Sequence, residues 1–152
     1  MNAAALLATW FGAGKLPKAP GTWGSLAALP FAWFIRDWFG VWGLALATAI
    51  VFIVGCWAAE AHRRALGGED PGEVVIDEVA GVWLTLLPVT NSIWLYLAGF
   101  LLFRHFDIWK PWPVRWADRA VHGGFGIMLD DVLAALYAGG ILCVAVNVMG
   151  IA

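Results

Sequence analysis

Four stretches of this chain contain no Asp, Glu, Lys or Arg: 19–35, 38–59, 79–103 and 132–152, with lengths of 17, 22, 25 and 21 residues. A helix needs about 20 apolar residues to cross the hydrocarbon of a bilayer, so three of the four are long enough outright. Composition agrees with that reading. The chain is 62% hydrophobic and 13% charged, with a mean hydropathy of +0.78, whereas soluble domains carry about 25% charged residues. That composition disfavours a freely soluble globule. Eleven Trp suit a bilayer protein, because indoles settle where hydrocarbon meets headgroups. A net charge of −2 and a pI near 5.8 offer no basic field, so nucleic acid is not an expected partner. Oligomeric state is not readable. A chain of 152 residues is expected to form a single membrane domain over 1–152. The expected fold is an all-α integral membrane bundle of about three to five membrane-embedded helices with short cytoplasmic helices.

The charged residues then set the topology. Cytoplasmic loops collect Lys and Arg. If each run crossed once, the segment 104–131, with Arg104, Lys110, Arg115 and Arg119, would face opposite Arg63 and Arg64. If 79–103 instead dips in and returns, breaking at Pro88-Val89-Thr90-Asn91-Ser92, then 1–18, 60–78 and 104–131 share one side. Ten of the eleven acids gather there, leaving only Arg36-Asp37 opposite. A helical hairpin or re-entrant segment over 79–103 is therefore expected, at the cost of irregular backbone that must be buried in protein or wetted. The first run holds Pro20 and Pro30 and is expected to tilt, kink or insert only partly. No secretory leader is read at 2–11, where the lysines Lys15 and Lys18 follow the apolar stretch instead of preceding it.

Local signals predict helix ends. Asp70-Pro71-Gly72-Glu73 has the form of a cap, a first-turn proline and an acid three residues on, which predicts a helix running toward Leu87 with Asp77 and Glu78 in its second turn. Gly67-Gly68 should end the helix before it. Pro111 and Pro113 should break the helix carrying Arg104 and Asp107, and Pro113 should open a short helix to Val121. Gly123 to Gly126 should close that helix and lead into the last one. Thr22 is the expected cap of the helix that follows Lys18-Ala19-Pro20-Gly21. Cys56 and Cys143, both inside apolar runs, read as buried small hydrophobes.

The shared face would present Asp77, Glu78, Asp107, Asp118, Asp130 and Asp131 among Lys18, Arg104, Lys110, Arg115 and Arg119. Ionised groups at the ends of apolar runs are costly unless paired or metal-bound. Arg104/Asp107 and Arg115/Asp118 have the three-residue spacing of ordinary helix-surface ion pairs. The adjacent acids Asp77-Glu78 and Asp130-Asp131 repel each other and call for a cation. Carboxylates drawn from three helices form the ligand set that hard cations such as Mg2+ prefer, and basic residues beside such a site point to a phosphate. Other phosphatase chemistries lack their residues. Cys56 and Arg63 have six residues between them instead of five, no Asp-x-Asp pair occurs, and the three histidines form no zinc pattern. His105 reads as a helix-surface or supporting group.

Four blocks then align with a known family. Pro20-Gly21-Thr22-Trp23-Gly24-Ser25, Ile76-Asp77-Glu78-Val79-Ala80-Gly81, the segment from Phe103 through Arg104-His105-Phe106-Asp107 to Pro113, and the segment from Gly123 to Asp131 resemble, in order, the signature blocks of the phosphatidylglycerophosphatase A family. The similarity runs roughly from Lys15 to Tyr137. It implies a helical, Mg2+-dependent phosphatase of the bacterial inner membrane that hydrolyses phosphatidylglycerophosphate to phosphatidylglycerol and phosphate. On this combined reading Asp77, Glu78, Asp107, Asp130 and Asp131 ligate one or two Mg2+ and activate a water. Lys110, Arg104, Arg115 and Arg119 grip the phosphate, and Lys18 and Thr22 close the site. Asp118 is either a ligand or the group that orients Arg115. Trp109, Trp112 and Trp116 suit the headgroup level. Three rival readings stay open: a metal-dependent phosphatase of another lipid phosphate, a non-enzymatic ion or proton relay across the bilayer, and a purely structural membrane scaffold.

Overall fold

The computed structural model describes residues 1–151; Ala152, the last residue of the fourth apolar run, lies outside them. The elements are α1 (Ala3–Ala8), one 3-10 turn (Ala13–Lys15), α2 (Pro20–Leu66), α3 (Ile76–Thr85), α4 (Ile93–Trp109), α5 (Val114–Ala120) and α6 (Gly123–Met149). No strand occurs among the described residues, as the all-α reading requires.

The first two apolar runs form one 47-residue element, α2, with a single non-helical residue inside it, Gly40 at φ 72, ψ −170. A residue with a Cβ does not adopt those angles without strain, so the glycine is where the chain can turn back. The contacts show that it does. Gly24 packs on Val75 and the Trp83 indole donates to the Ala28 carbonyl, so the leg before Gly40 runs beside α3 in the same direction. Gly55 packs on Ile76 and Met128, and Glu60 reaches Gly124, so the leg after Gly40 returns to the starting end. Neither Pro30 nor Arg36-Asp37 interrupts the helix; the non-helical residue is Gly40, ten residues past the proline where a kink was expected.

The outer faces are what a bilayer demands. Trp38, Trp42, Leu46, Ile53 and Trp57 on α2, and Leu136, Ile141, Val144 and Val148 on α6, are exposed. A soluble core would bury such residues; here they form continuous apolar flanks, which places these helices in contact with lipid. The 27 residues of α6 extend about 40 Å, enough to cross the hydrocarbon.

The segment 79–103 forms the expected hairpin. α3 leaves the end where α2 begins and finishes, residues 86–92 turn, and α4 returns, with Gly99 packed on Leu86 and Gly81 on Phe103. Carbonyls freed at such a turn need donors if they lie away from water. The Arg36 guanidinium donates to the carbonyls of Leu87 at 3.0 Å and Leu86 at 3.4 Å. The Asn91 amide donates to the Trp33 carbonyl at 3.1 Å, and the Tyr96 hydroxyl donates to the Asn91 side-chain oxygen at 2.7 Å. The isolated basic residue at the far end thus has a local structural use.

Several predicted ends move. α3 begins at Ile76, not Pro71, because tertiary partners claim the groups a cap would use. Glu73 turns to the His62 ring at 2.5 Å, and the Val75 N–H donates to the Ala8 carbonyl at 2.8 Å. Asp77 and Glu78 consequently sit in the first turn of α3, not the second. α2 is capped at Ala19 with Pro20 as its first residue, which leaves Thr22 inside the first turn and not at the cap. The glycines from Gly123 to Gly126 open α6 instead of closing α5. The ends at Gly67, Trp109 and Val121 fall where the sequence put them. Cys56 and Cys143 are free thiols but only partly buried.

Candidate metal centre

Asp77 and Glu78 enter from the first turn of α3, Asp107 from the last turn of α4, and Asp130 and Asp131 from α6. Each is nearly buried, with relative exposures of 8, 9, 8, 6 and 2 per cent in that order. The placement of the first two is favourable in itself, since acids in a first turn face the positive end of their helix. The cluster as a whole is not. Five carboxylates with little water around them repel unless cations stand between them.

Their geometry divides into two overlapping triads. One ligand oxygen from each of Asp77, Asp130 and Asp131 lies within 4.8 Å of the others, and the same holds for Glu78, Asp107 and Asp131. Asp131, the most buried, belongs to both. Two basic residues answer part of the charge. The Arg104 guanidinium hydrogen-bonds Asp107 and lies 3.7 Å from Glu78. Lys110 Nζ donates to Asp130 at 2.9 Å and lies 3.5 Å from Asp118 and 3.9 Å from Asp107. Burial alone would lower the Lys110 pKa, but the carboxylates of Asp130, Asp107 and Asp131 outweigh it and hold the ammonium above the ordinary lysine value.

This compensation is incomplete. Asp77 Oδ1, Glu78 Oε2, Asp130 Oδ1 and Asp131 Oδ2 are buried without a hydrogen-bond partner among the described residues. Buried polar atoms are almost always satisfied, and four orphan carboxylate oxygens in one cluster are a donor set for a hard divalent cation. An all-carboxylate donor set suits hard cations such as Mg2+, Mn2+ and Ca2+ better than soft metals, which favour thiolate ligands.

The other nominated residues are placed differently. Lys18 is exposed in a left-handed turn before α2 and Thr22 is half-buried; neither side chain makes a hydrogen bond or ion pair among the described residues. Arg115 and Arg119 lie on the exposed face of α5, outside the carboxylate cluster, and Arg115 donates to the Trp109 carbonyl at 3.3 Å. Asp118 approaches Lys110, so the Arg115/Asp118 helix pair allowed by the spacing does not form among the described residues. The Arg104/Asp107 pair does. His105 is exposed and packs its ring near Phe106 and Trp109, as a helix-surface group.

Three features had no sequence signal strong enough to find them. Gly21 lies against the site: a Cβ there would stand 2.5 Å from Glu78 Oε1 and 3.1 Å from Arg104 Nη1. The Glu60 carboxylate accepts from the Gly124 N–H at 2.7 Å and from Arg63 at 2.8 Å, tying the end of α2 to the start of α6 and so fixing the helix that carries Asp130 and Asp131. A cavity of about 800 Å³ opens beside Asp130, bordered by Arg63, Asp70, Asp118, Arg119 and His122.

The family model and two of three similar proteins carry one name. The family model described as Phosphatidylglycerophosphatase A matches residues 6–146. A protein of Escherichia coli K12 named Phosphatidylglycerophosphatase A is 45% identical over 139 residues, which span 90% of this chain and 80% of that protein. The protein of the same name from Haemophilus influenzae is 43% identical over 139 residues, 91% of this chain and 85% of its own. A Bacteroides thetaiotaomicron protein provisionally named as a phosphatidylinositol-3-phosphatase is 40% identical over 158 residues, 95% of this chain and 94% of its own. No solved structure matches.

Proposed function

The chain belongs to the phosphatidylglycerophosphatase A family, and from that membership we propose that it hydrolyses the terminal phosphomonoester of phosphatidylglycerophosphate, using Mg2+ held by Asp77, Glu78, Asp107, Asp130 and Asp131. The observation that carries the reading is the set of four orphan oxygens in a buried carboxylate cluster built by three helices at one end of the bundle. The proposed location is the cytoplasmic face of the inner membrane. Eight of the nine basic residues, all but Arg36, belong to the segments at the site's end, which supports that orientation.

Bound Mg2+ would neutralise charge on the phosphoryl oxygens and make a coordinated water easier to deprotonate. The rest falls to the chain's own residues. A carboxylate oxygen of the cluster accepts the proton of the attacking water, whose oxygen forms the new bond to phosphorus as the bond to the glycerol oxygen breaks. The leaving glycerol oxygen takes a proton from solvent at the interface and the carboxyl group releases its own to solvent, giving phosphatidylglycerol and inorganic phosphate with the carboxylate restored. Arg104 and Lys110, at the rim of the cluster, hold positive charge against the phosphoryl oxygens as negative charge shifts toward the leaving oxygen. The acyl chains stay in lipid while the headgroup meets the site at the interface, so the substrate never leaves the membrane.

The Bacteroides relative's name favours one alternative, a different lipid phosphomonoester on the same cluster. Phosphate release from purified enzyme in neutral detergent micelles separates them. The expected result is a kcat/KM for phosphatidylglycerophosphate at least tenfold above those for phosphatidate and phosphatidylinositol 3-phosphate, since a ten-fold preference needs only about 1.4 kcal/mol of differential binding. Equal rates, or a preference for the inositol lipid, would overturn the assignment of substrate.

A further inference from the structure

The break after Trp109 places a second group of cations beside the carboxylate cluster without joining it. Pro111 and Pro113 bend the chain so that α5 folds next to the end of α4, and a groove of about 520 Å³ lies between them. Trp109, Trp112 and Trp116 form its apolar walls, and Arg115 and Arg119 supply its charge; no acidic residue lines it among the described residues. The three indoles are 55, 77 and 52 per cent exposed, an arrangement that suits the headgroup layer and not open water. The hydrogen bond from Arg115 to the Trp109 carbonyl ties the guanidinium to the groove, leaving its remaining N–H groups for another acceptor.

Lys110 joins the two places. Its ammonium reaches Asp130, Asp118 and Asp107, yet the residue also lines the groove. A ligand with one phosphate in the carboxylate cluster would therefore have its next few atoms beside Arg115 and Arg119. Phosphatidylglycerophosphate carries a second phosphate. Its diester, one glycerol unit from the terminal monoester, carries one negative charge at headgroup depth, and the carboxylate cluster offers that charge only repulsion.

We propose that the groove between the end of α4 and α5 is a subsite for the phosphodiester of a phosphatidylglycerol headgroup, with Arg115 and Arg119 as its anion-binding residues and the three Trp flanking the glycerol backbone of the lipid. Arginine suits this role because its planar fork pairs with two phosphate oxygens at once. The subsite rests on the reading of the substrate given above, and it adds the element that distinguishes this lipid from a simple monoester: recognition of both phosphates at fixed spacing.

Binding of dihexanoyl phosphatidylglycerol, which has the diester and no monoester, tests the groove apart from any chemistry. The full-length protein in neutral detergent is titrated by calorimetry alongside the Arg115→Gln, Arg119→Gln and double variants. Saturable binding is expected, weakened roughly tenfold by each single change and further by both, while dihexanoylglycerol without phosphate binds at least tenfold more weakly than the phospholipid. Arg115→Lys should recover only part of the affinity, because a point charge replaces the fork. Both arginines are exposed, and Lys15→Gln, another exposed basic residue, is the control for net charge. Equal affinity in wild type and double variant, no saturable binding, or equal binding of the neutral lipid would overturn the subsite. If phosphatidylglycerol binds as expected while phosphatidylglycerophosphate is not cleaved, the reaction assignment falls and the groove stands.

Discussion

Asp131→Asn is expected to reduce kcat for lipid phosphate release by about a thousandfold or more, since it removes the carboxylate shared by both triads and with it metal-derived transition-state stabilisation of several kcal/mol. Loss of activity alone would not separate a ligand from a structural residue, but stability does. Without divalent metal, a carboxylate at Asp131 either repels Asp77, Glu78, Asp107 and Asp130 or must take up a proton to avoid that repulsion. The amide relieves that repulsion at nearly constant volume, so the metal-free variant should melt at the same temperature as the wild type or higher. With divalent metal the order should reverse, because a ligand that binds only the folded protein stabilises it in proportion to its affinity. Asp118→Asn is the comparison. Asp118 is in neither triad and its one ion pair among the described residues is with the Lys110 ammonium, at 3.5 Å, so its loss should cost less than roughly tenfold in rate. A variant at Asp131 that melts lower than wild type without metal would indicate a structural carboxylate.

The second large effect is expected from a residue with no side chain. Gly21→Ala would bring a methyl group 2.5 Å from Glu78 Oε1 and 3.1 to 3.2 Å from the terminal nitrogens of Arg104. Those contacts cannot persist, and the yielding groups are a candidate ligand and its counter-charge. A displacement of about 1 Å in such groups costs on the order of a hundredfold in kcat. Stability should move the other way or not at all, since alanine within a helix is worth about 0.5–1 kcal/mol over glycine and offsets the local crowding. The measurement pairs kcat with a melting curve in detergent. A variant that keeps full activity would show that the start of α2 does not shape the site. One that loses activity and stability together would assign Gly21 to packing alone.

These two residues mark how far the sequence could be read. Asp131 stood out because an acid at the mouth of an apolar run has a large desolvation cost, and its neighbour Asp130 repeats it; two uncompensated charges in sequence imply a cation in space. Gly21 stood inside the first signature block, but its place against the site was not legible, because what matters there is a missing atom against groups from α3 and α4. The hairpin at 79–103 was legible from the sidedness of Lys and Arg, and the helix ends at Gly67 and Trp109 from the backbone chemistry of glycine and proline. The start of α3 was not. The cap pattern at Asp70 is a local preference worth about 1 kcal/mol, and it yields to the Glu73–His62 and Val75–Ala8 hydrogen bonds made by distant segments. Arg115 and Arg119 were correctly placed near Lys110 in the chain, but spacing along α5 does not tell which way a turn at Pro111 and Pro113 aims the helix. The turn sets them in the groove beside the three Trp and leaves Arg104 and Lys110 at the cluster.

Divalent-cation binding to the purified protein in detergent addresses the carboxylate cluster without reference to any lipid. Calorimetric titration with Mg2+, or with Mn2+ as its paramagnetic substitute, is expected to give saturable binding at one or two sites per chain, absent in Asp131→Asn, with phosphate release abolished by chelator and restored by Mg2+. A wild-type protein that binds no divalent cation and releases phosphate at full rate in excess chelator would contradict the cluster as a metal centre.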